Sequence, residues 1–396
     1  MSAGNDPSRW VLVSGDFTPL GGMDRANHGL ASYLGRTGAE VHLVTHRAWA
    51  DLEMLAHLHV HYVPRPWGKQ LLGEPFLAHA GRREARRAGP KGRVVVNGGN
   101  CLWGDVNWVH YVHAAWAARD AGHPLRRLKT ALAARRALAH ERASLKRARV
   151  VVANSERTRR DLIERVGVSP ERVHTVYYGV DPERFRPATL AERAEVRARF
   201  GWEGDRPVVA VVGALGDSRK GFDTLLAAWH RLTRGGWDAR LVVIGAGATL
   251  PHWKNEANSL GLGGSVEFLG FRSDVPEVLR GVDALVSPTR YEAYGLNVHE
   301  ALCCGLPALV SRSAGVAERY PTELDHLLIL DPEDPEGLAE RLRHWREQCE
   351  ADRTAVSALS ERLRAYTWDD MARRFVAVTG NEALPDSAAA DGHAFV

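Results

Sequence analysis

The sequence predicts an α/β protein made of two doubly wound, Rossmann-like units that face each other across a cleft. Three observations carry this. The chain has 396 residues, more than one hydrophobic core usually serves, so two domains are expected. Short apolar runs alternate with helical patterns, as parallel strands covered on both faces do. The alternation breaks once, near 182–206, where Pro182, Pro187 and Pro207 flank the charged stretch AERAEVRARF, and then restarts.

In the first unit, Trp10–Ser14 reads as a buried strand that runs into the loop GDFTPLGG. Apolar spacing over about 24–36 predicts a helix. Further strands are expected at Val41–Thr45, Val60–Val63, Val94–Asn97, Val106–Val112 and Val150–Ala153. Residues 125–149 predict a basic helix with a partial apolar face from Leu125, Leu128, Leu132 and Leu145. Its charge fits either a solvated face of a packed helix or weak peripheral contact with an anionic membrane. In the second unit, strands are expected at Val208–Val212, Leu241–Ile244, Val266–Leu269, Ala284–Ser287, Ala308–Ser311 and Leu327–Leu330, with a helix in FDTLLAAWHRL. YTWDDMARRFVAV predicts a last helix, and the tail 381–396, rich in Ala, Gly, Asp and Ser, is expected to be disordered. The domains are thus 1–190, with the last helix (about 366–380) returning to it, and 200–365.

Composition excludes several classes. The formal net charge is +4, too weak to argue for nucleic acid. No uncharged apolar stretch reaches the length that spans a bilayer. The opening MSAGNDPSRW lacks the apolar core of a signal peptide. Cys101, Cys303, Cys304 and Cys349 form no CxxC pair, so they read as structural thiols in a reducing, cytoplasmic setting.

Three segments carry chemistry. Gly21-Gly22 stands between the first strand and a helix, where bare backbone and a helix N-terminus can seat an anion. A tight turn serves the same residues equally well, and the GxGxxG fingerprint is absent. Gly213-Ala-Leu-Gly-Asp-Ser-Arg219-Lys220-Gly221 puts two cations where a helix begins. That placement is unfavourable unless an anion neutralises them, and a phosphate would. The third segment is Glu292-Ala-Tyr-Gly295-Leu296-Asn297-Val298-His299-Glu300. Its two carboxylates stand eight positions apart, one before a turn and one in the helix after it. Near an anion seat, carboxylates suit sugar and ribose hydroxyls. Two carboxylates also fit glycoside hydrolysis, a reading that stays open on sequence alone.

From Leu241 to Glu318 the chain resembles the retaining glycosyltransferases of the GT-B fold, family 4. The carrying segments are LVVIGAG, VEFLGF, VDALVSPTRYEAYGLNVHEALCCGLPALVS and AGVAE. VVANSERTRRDL, YYGVDPERFRP, RKGFDTLL and the GG loop support it. The resemblance implies an active site in the cleft, with a nucleoside-diphosphate sugar held by the second domain and the acceptor by the first. It implies that Glu300 binds the donor ribose, that Glu292 lies near the donor sugar, and that the turn at Gly295, Leu296 and Asn297 lines sugar and phosphates. Lys220 would meet the diphosphate, and Gly21 and Gly22 would close over the donor. His113 is the match to a histidine beside the transferring sugar, with His110 as runner-up.

The chain departs from the pattern at two points. Ala214 stands where family members often carry arginine, which makes Arg219 the candidate replacement, and Ala314-Gly315 replaces a glycine pair. No DxD motif is present, in keeping with a metal-independent family without a cofactor. The resemblance leaves two further readings, a nucleotide-sugar epimerase or hydrolase and a silent nucleotide-sugar-binding subunit. The acceptor is open among a glycan, a lipid-linked sugar and a small natural product.

Overall fold

The computed structural model describes residues 9–116, 124–202 and 204–380, and of residues 124–134 only the backbone. The 381–396 tail lies outside the described residues.

The first sheet has seven parallel strands: β1 (Trp10–Val13), β2 (Val41–Thr45), β3 (Leu58–Tyr62), β4 (Arg93–Asn97), β5 (Val106–Val109), β6 (Val150–Ala153) and β7 (Val173–Thr175). Their spatial order is β3-β2-β1-β4-β5-β6-β7. The second sheet has six: β8 (Val208–Val212), β9 (Arg240–Ile244), β10 (Val266–Gly270), β11 (Ala284–Ser287), β12 (Ala308–Ser311) and β13 (Leu328–Ile329). They run β10-β9-β8-β11-β12-β13. Both sheets therefore reverse strand order once, beside β1 and beside β8. Such a switch point opens a crevice at the carboxyl ends of the strands, where ligands of this fold bind.

The helices used below are α1 (Gly22–Arg36), α2 (Gln70–Ala88), α3 (Pro124–Arg147), α4 (Glu156–Asp161), α5 (Phe222–Arg234), α6 (Leu296–Cys303) and α7 (Trp368–Thr379). Central strands are largely apolar because both faces are covered. Every residue of β1, β11 and β12 is buried. α5 buries Phe222, Leu225, Leu226, Ala228, Trp229 and Leu232 on one face, an amphipathic stripe.

The chain ends by crossing back to the first unit. Thr367 and Asp370 form a capping box that starts α7. Met371, Ala372 and Phe375 then join the core of the first unit, each large side chain contributing about 1.5–3 kcal/mol on burial. Gly29 of α1 leaves room for Trp368: a Cβ there would lie 3.4 Å from the tryptophan side chain. Arg36 and Asp369 close the same contact in two hydrogen bonds of 3.1 and 2.5 Å.

Some element bounds differ from expectation. The strand expected over Val106–Val112 stops at Val109, because His110 turns to bond Tyr178 and the chain enters a 3-10 turn at His113–Ala115. The Val60–Val63 strand starts earlier, at Leu58, where it comes into register with Val41. Leu327–Leu330 shrinks to Leu328–Ile329. Strand β7 was not expected: Val173-His-Thr175 is short and two of its three residues are only half-buried. The basic helix forms as α3, but the side chains that would judge a membrane face, those of 125–134, lie outside the described residues. Among the described residues no helix is long and apolar enough to cross a membrane.

Candidate functional site

Two loops of the second unit meet because β8 and β11 are neighbours. The loop after β8 is held by close backbone approach. Gly245, at the end of β9, packs so tightly that a Cβ would fall 1.8 Å from the Gly213 carbonyl. Asp217 caps a 3-10 turn over Ser218–Lys220. Gly221 then adopts a φ of 64° within reach of the Pro288 carbonyl, where a Cβ would stand 2.0 Å away. The cations are therefore on a short turn one residue ahead of α5, rather than in the helix itself.

Both cations already face anions. Lys220 Nζ lies 2.5 Å from Glu292 Oε2. Arg219 Nε lies 2.8 Å from Asp217 Oδ2, and its guanidinium stacks 5.1 Å from the ring centre of Tyr111. Burial lowers the Arg219 pKa, but the nearby Glu292 and Asp217 charges outweigh it and hold the group firmly cationic. Asp217 and Glu292 thus balance this turn within the chain.

The loop after β11 carries Glu292 and turns at Gly295, whose φ of 108° excludes side chains and which caps α6. The first N–H groups of α6, those of Leu296 and Asn297, have no partner within the helix. The Asn297 amide donates to the Val212 carbonyl at 2.8 Å, pinning the start of α6 to the end of β8. Glu300, one turn deeper, is buried. Its partner comes from the other unit, since Arg25 of α1 donates to Glu300 Oε1. Burial lowers the Arg25 pKa to about 10, so it remains charged at neutral pH.

The first unit covers this site. Gly21 caps α1 with a φ of 82°, and Gly22 faces Leu296, with room of 3.9 Å for a Cβ. Val112 N–H donates to the Tyr291 hydroxyl at 3.3 Å. Ser155, the cap of α4, donates to the Ala293 carbonyl at 2.6 Å, and Glu156 N–H donates to Glu318 at 2.8 Å. Arg157 lies over the Tyr291 ring at 4.7 Å.

The two histidines differ sharply. His110 is half-buried, bonded through Nδ1 to Tyr178 at 2.5 Å and through Nε2 to Asn97 at 3.1 Å. Burial drops its pKa to about 3, so the ring is neutral. His113 is exposed and stands edge-on to Tyr111 at 4.9 Å, next to the ring that carries Arg219. Nearby, Trp108 is core, packed 4.6 Å from Phe375, and Trp116 stacks 6.5 Å from Tyr291.

The fold thus gathers Gly21, Gly22, His113, Arg219, Lys220, Glu292, Gly295, Leu296, Asn297 and Glu300 around one cleft. Sequence reasoning missed Arg25, Tyr111, Asp217 and Tyr291. Asp217 was visible between two loop glycines. Arg25 was not, because its partner lies 275 positions away.

Comparison with known proteins agrees with this fold. Residues 20–184 match the family described as Glycosyltransferase Family 4, and residues 192–359 the one described as Glycosyl transferases group 1. The D-inositol 3-phosphate glycosyltransferase of Salinispora tropica is 29% identical over 94% of this chain and 85% of that protein. Two relatives matched at 30% and 31% identity are spanned over only about half their length, 51% and 46%. Among solved structures, WaaG, a glycosyltransferase involved in lipopolysaccharide biosynthesis, shares the fold with a TM-score of 0.76 at 22% identity, covering 94% of this chain and all of that one. The Anabaena protein HepE, solved in complex with UDP-glucose, shares it with a TM-score of 0.70 at 18% identity over 94% of this chain and 98% of its own.

Proposed function

Since the chain belongs to the group 1 glycosyltransferases of the GT-B fold, we propose that it moves a hexose from a nucleoside-diphosphate sugar to an acceptor hydroxyl, with retention and without a metal cofactor. The observation that carries this reading is the meeting of Arg219, Lys220 and the α6 N-terminus at one strand-order switch, with the buried Glu300 carboxylate one helical turn away.

In this reading the anomeric carbon–oxygen bond to the β-phosphate breaks. The acceptor oxygen bonds to the same face, and its proton passes to the departing phosphate oxygen. Charge grows on that oxygen, so preformed cations and helix N–H groups stabilise the transition state more than the ground state. Lys220 exchanges Glu292 for the diphosphate, which releases Glu292 toward the sugar. Glu300 exchanges Arg25 for the ribose hydroxyls. His113 orients a sugar hydroxyl beside Tyr111. Closure of Gly21-Gly22 over Leu296 excludes water and so limits hydrolysis.

An epimerase, a hydrolase or a silent binding subunit is not favoured, because the relatives matched over most of their length are transferases. A cytoplasmic setting belongs to the same reading, since the four cysteines are unpaired, with Cys101, Cys303 and Cys304 buried as thiols. The acceptor would approach from the first unit.

The test is a thermal-shift screen of UDP, GDP, ADP and dTDP in EDTA. One diphosphate raising the melting temperature without metal supports the donor reading and names the base. No shift with any of them, in folded protein, overturns it.

A further inference from the structure

The outer edge of the first sheet holds a histidine cluster that sugar transfer does not use. β3 ends the sheet and reads Leu-His-Val-His-Tyr. His59 and His61, two residues apart on a strand, share one face. β2 pairs with it in parallel, setting His42 beside His59. Glu84 comes from α2, and both His42 and Glu84 are buried.

Two imidazoles meet nitrogen to nitrogen, His42 Nδ1 lying 2.8 Å from His61 Nε2. His42 Nε2 lies 3.0 Å from Glu40 Oε1. A carboxylate only accepts, so in the neutral ring Nε2 carries the hydrogen and Nδ1 turns its lone pair toward His61. Ligand atoms of His42, His61 and Glu84 all lie within 4.8 Å of one another.

We propose that His42, His61 and Glu84 bind one divalent transition-metal ion, zinc fitting best, with Glu40 orienting His42. Two imidazoles and a carboxylate are a zinc donor set. A carboxylate that fixes the second nitrogen of a ligating histidine is the usual outer support of such a site. Zinc–nitrogen bonds of about 2.0–2.1 Å at a tetrahedral angle need the nitrogens about 3.3 Å apart, a small parting of two side chains. His61 then binds as its neutral Nδ1–H tautomer, the Nε2 proton leaving to solvent while Nδ1 takes one up from solvent.

The neighbouring cations set the competition. Arg83 and Arg87 contact Glu84 at Oε1, at 3.3 and 2.8 Å, and the ion must share that carboxylate with them. Glu40, His42 and His59 form an alternative triad. It needs the His42 nitrogen already bonded to Glu40, and Arg9 holds that same carboxylate at 3.0 Å, so the His61 side is favoured. Bound there, the ion ties the edge strand to β2 and α2. The role is structural and separate from the cleft.

The test uses the full chain carrying no histidine tag, stripped with chelator and titrated with zinc sulfate against a chromophoric competitor. One equivalent per chain is expected, with a melting temperature that rises on adding zinc. His61→Gln and Glu84→Gln should each weaken binding at least tenfold. His57→Ala, an exposed histidine outside the cluster, should leave it unchanged. Cobalt(II) added to the unmutated protein should give the intense visible bands of a tetrahedral site. No zinc retained, unchanged affinity in both variants, or no tetrahedral cobalt spectrum would each overturn the proposal.

Discussion

Arg25 and Glu300 join the two halves of the molecule through the residue that donor binding would need. The guanidinium rises from the first turns of α1, and the carboxylate sits buried in α6. If ribose hydroxyls replace Arg25, the pair opposes binding. Because Glu300 is buried and Arg25 mostly so, Arg25→Ala leaves a buried carboxylate without its cation, and the diphosphate should then bind more tightly. Glu300→Ala should weaken it about 10–100-fold, the roughly 1.5–3 kcal/mol of hydrogen bonds to a charged group. Calorimetric titration of both variants decides; weaker binding in Arg25→Ala would mean that Arg25 itself holds the donor.

Lys220→Ala removes the cation nearest Glu292. Loss of one preorganised contact to developing charge costs about 10²–10³ in turnover. Arg219→Ala should fall in the same range if it stands in for the arginine absent at Ala214. Steady-state kinetics should show the loss mainly in kcat, and an effect on KM alone would argue for ground-state binding only.

Gly315 touches the seam between the units. A Cβ there would lie 2.2 Å from the Ala293 carbonyl and 2.7 Å from Ser155 Oγ. Because the first obstacle is backbone, relief requires the Ser155–Ala293 contact to open. Gly315→Ala is expected to lower stability by about 1–3 kcal/mol. Denaturant unfolding measures this, and an unchanged midpoint would show that the seam yields freely.

Acid should destabilise the fold through two histidines that it keeps neutral. Burial lowers His110 and His299 to about 3, against an ordinary value near 6.5. For a base with a depressed folded pKa, the stabilisation is complete above pH 6.5 and is lost as pH falls from 6.5 toward 3. Each group contributes a slope of up to about 1.4 kcal/mol per pH unit in that window. Urea midpoints at pH 8, 6 and 5 should therefore decline, and His299→Gln should decline less steeply, even though it loses the bond of 2.6 Å to Tyr294.

Chelation should separate two properties of the chain. EDTA is expected to leave the rate of sugar transfer unchanged, because Arg219, Lys220 and the α6 N-terminus supply the positive field. The same treatment should lower the melting temperature of protein loaded with zinc. A transfer rate that falls with EDTA and returns with magnesium would contradict metal independence.

The apolar runs by themselves determined the two parallel sheets, because a strand buried on both faces has to be largely apolar, as Trp10–Val13 is throughout and Ala284–Ser287 is up to its last residue. The spacing of Glu292, Gly295 and Glu300 likewise announced a turn that opens a helix. What sequence could not supply was pairing at a distance. Nothing local joins Arg25 to Glu300, Arg219 to Tyr111, or Ser155 to the Ala293 carbonyl; those contacts exist because two sheets face each other. Resemblance placed His113 ahead of His110, but nothing local separates two similar residues three positions apart. Only the tertiary structure decided that one is half-buried against Tyr178 and the other exposed beside Tyr111, because the strand stops at Val109 and the chain turns there. Periodicity reports which face of an element is covered, whereas the partner that covers it is chosen by packing between elements.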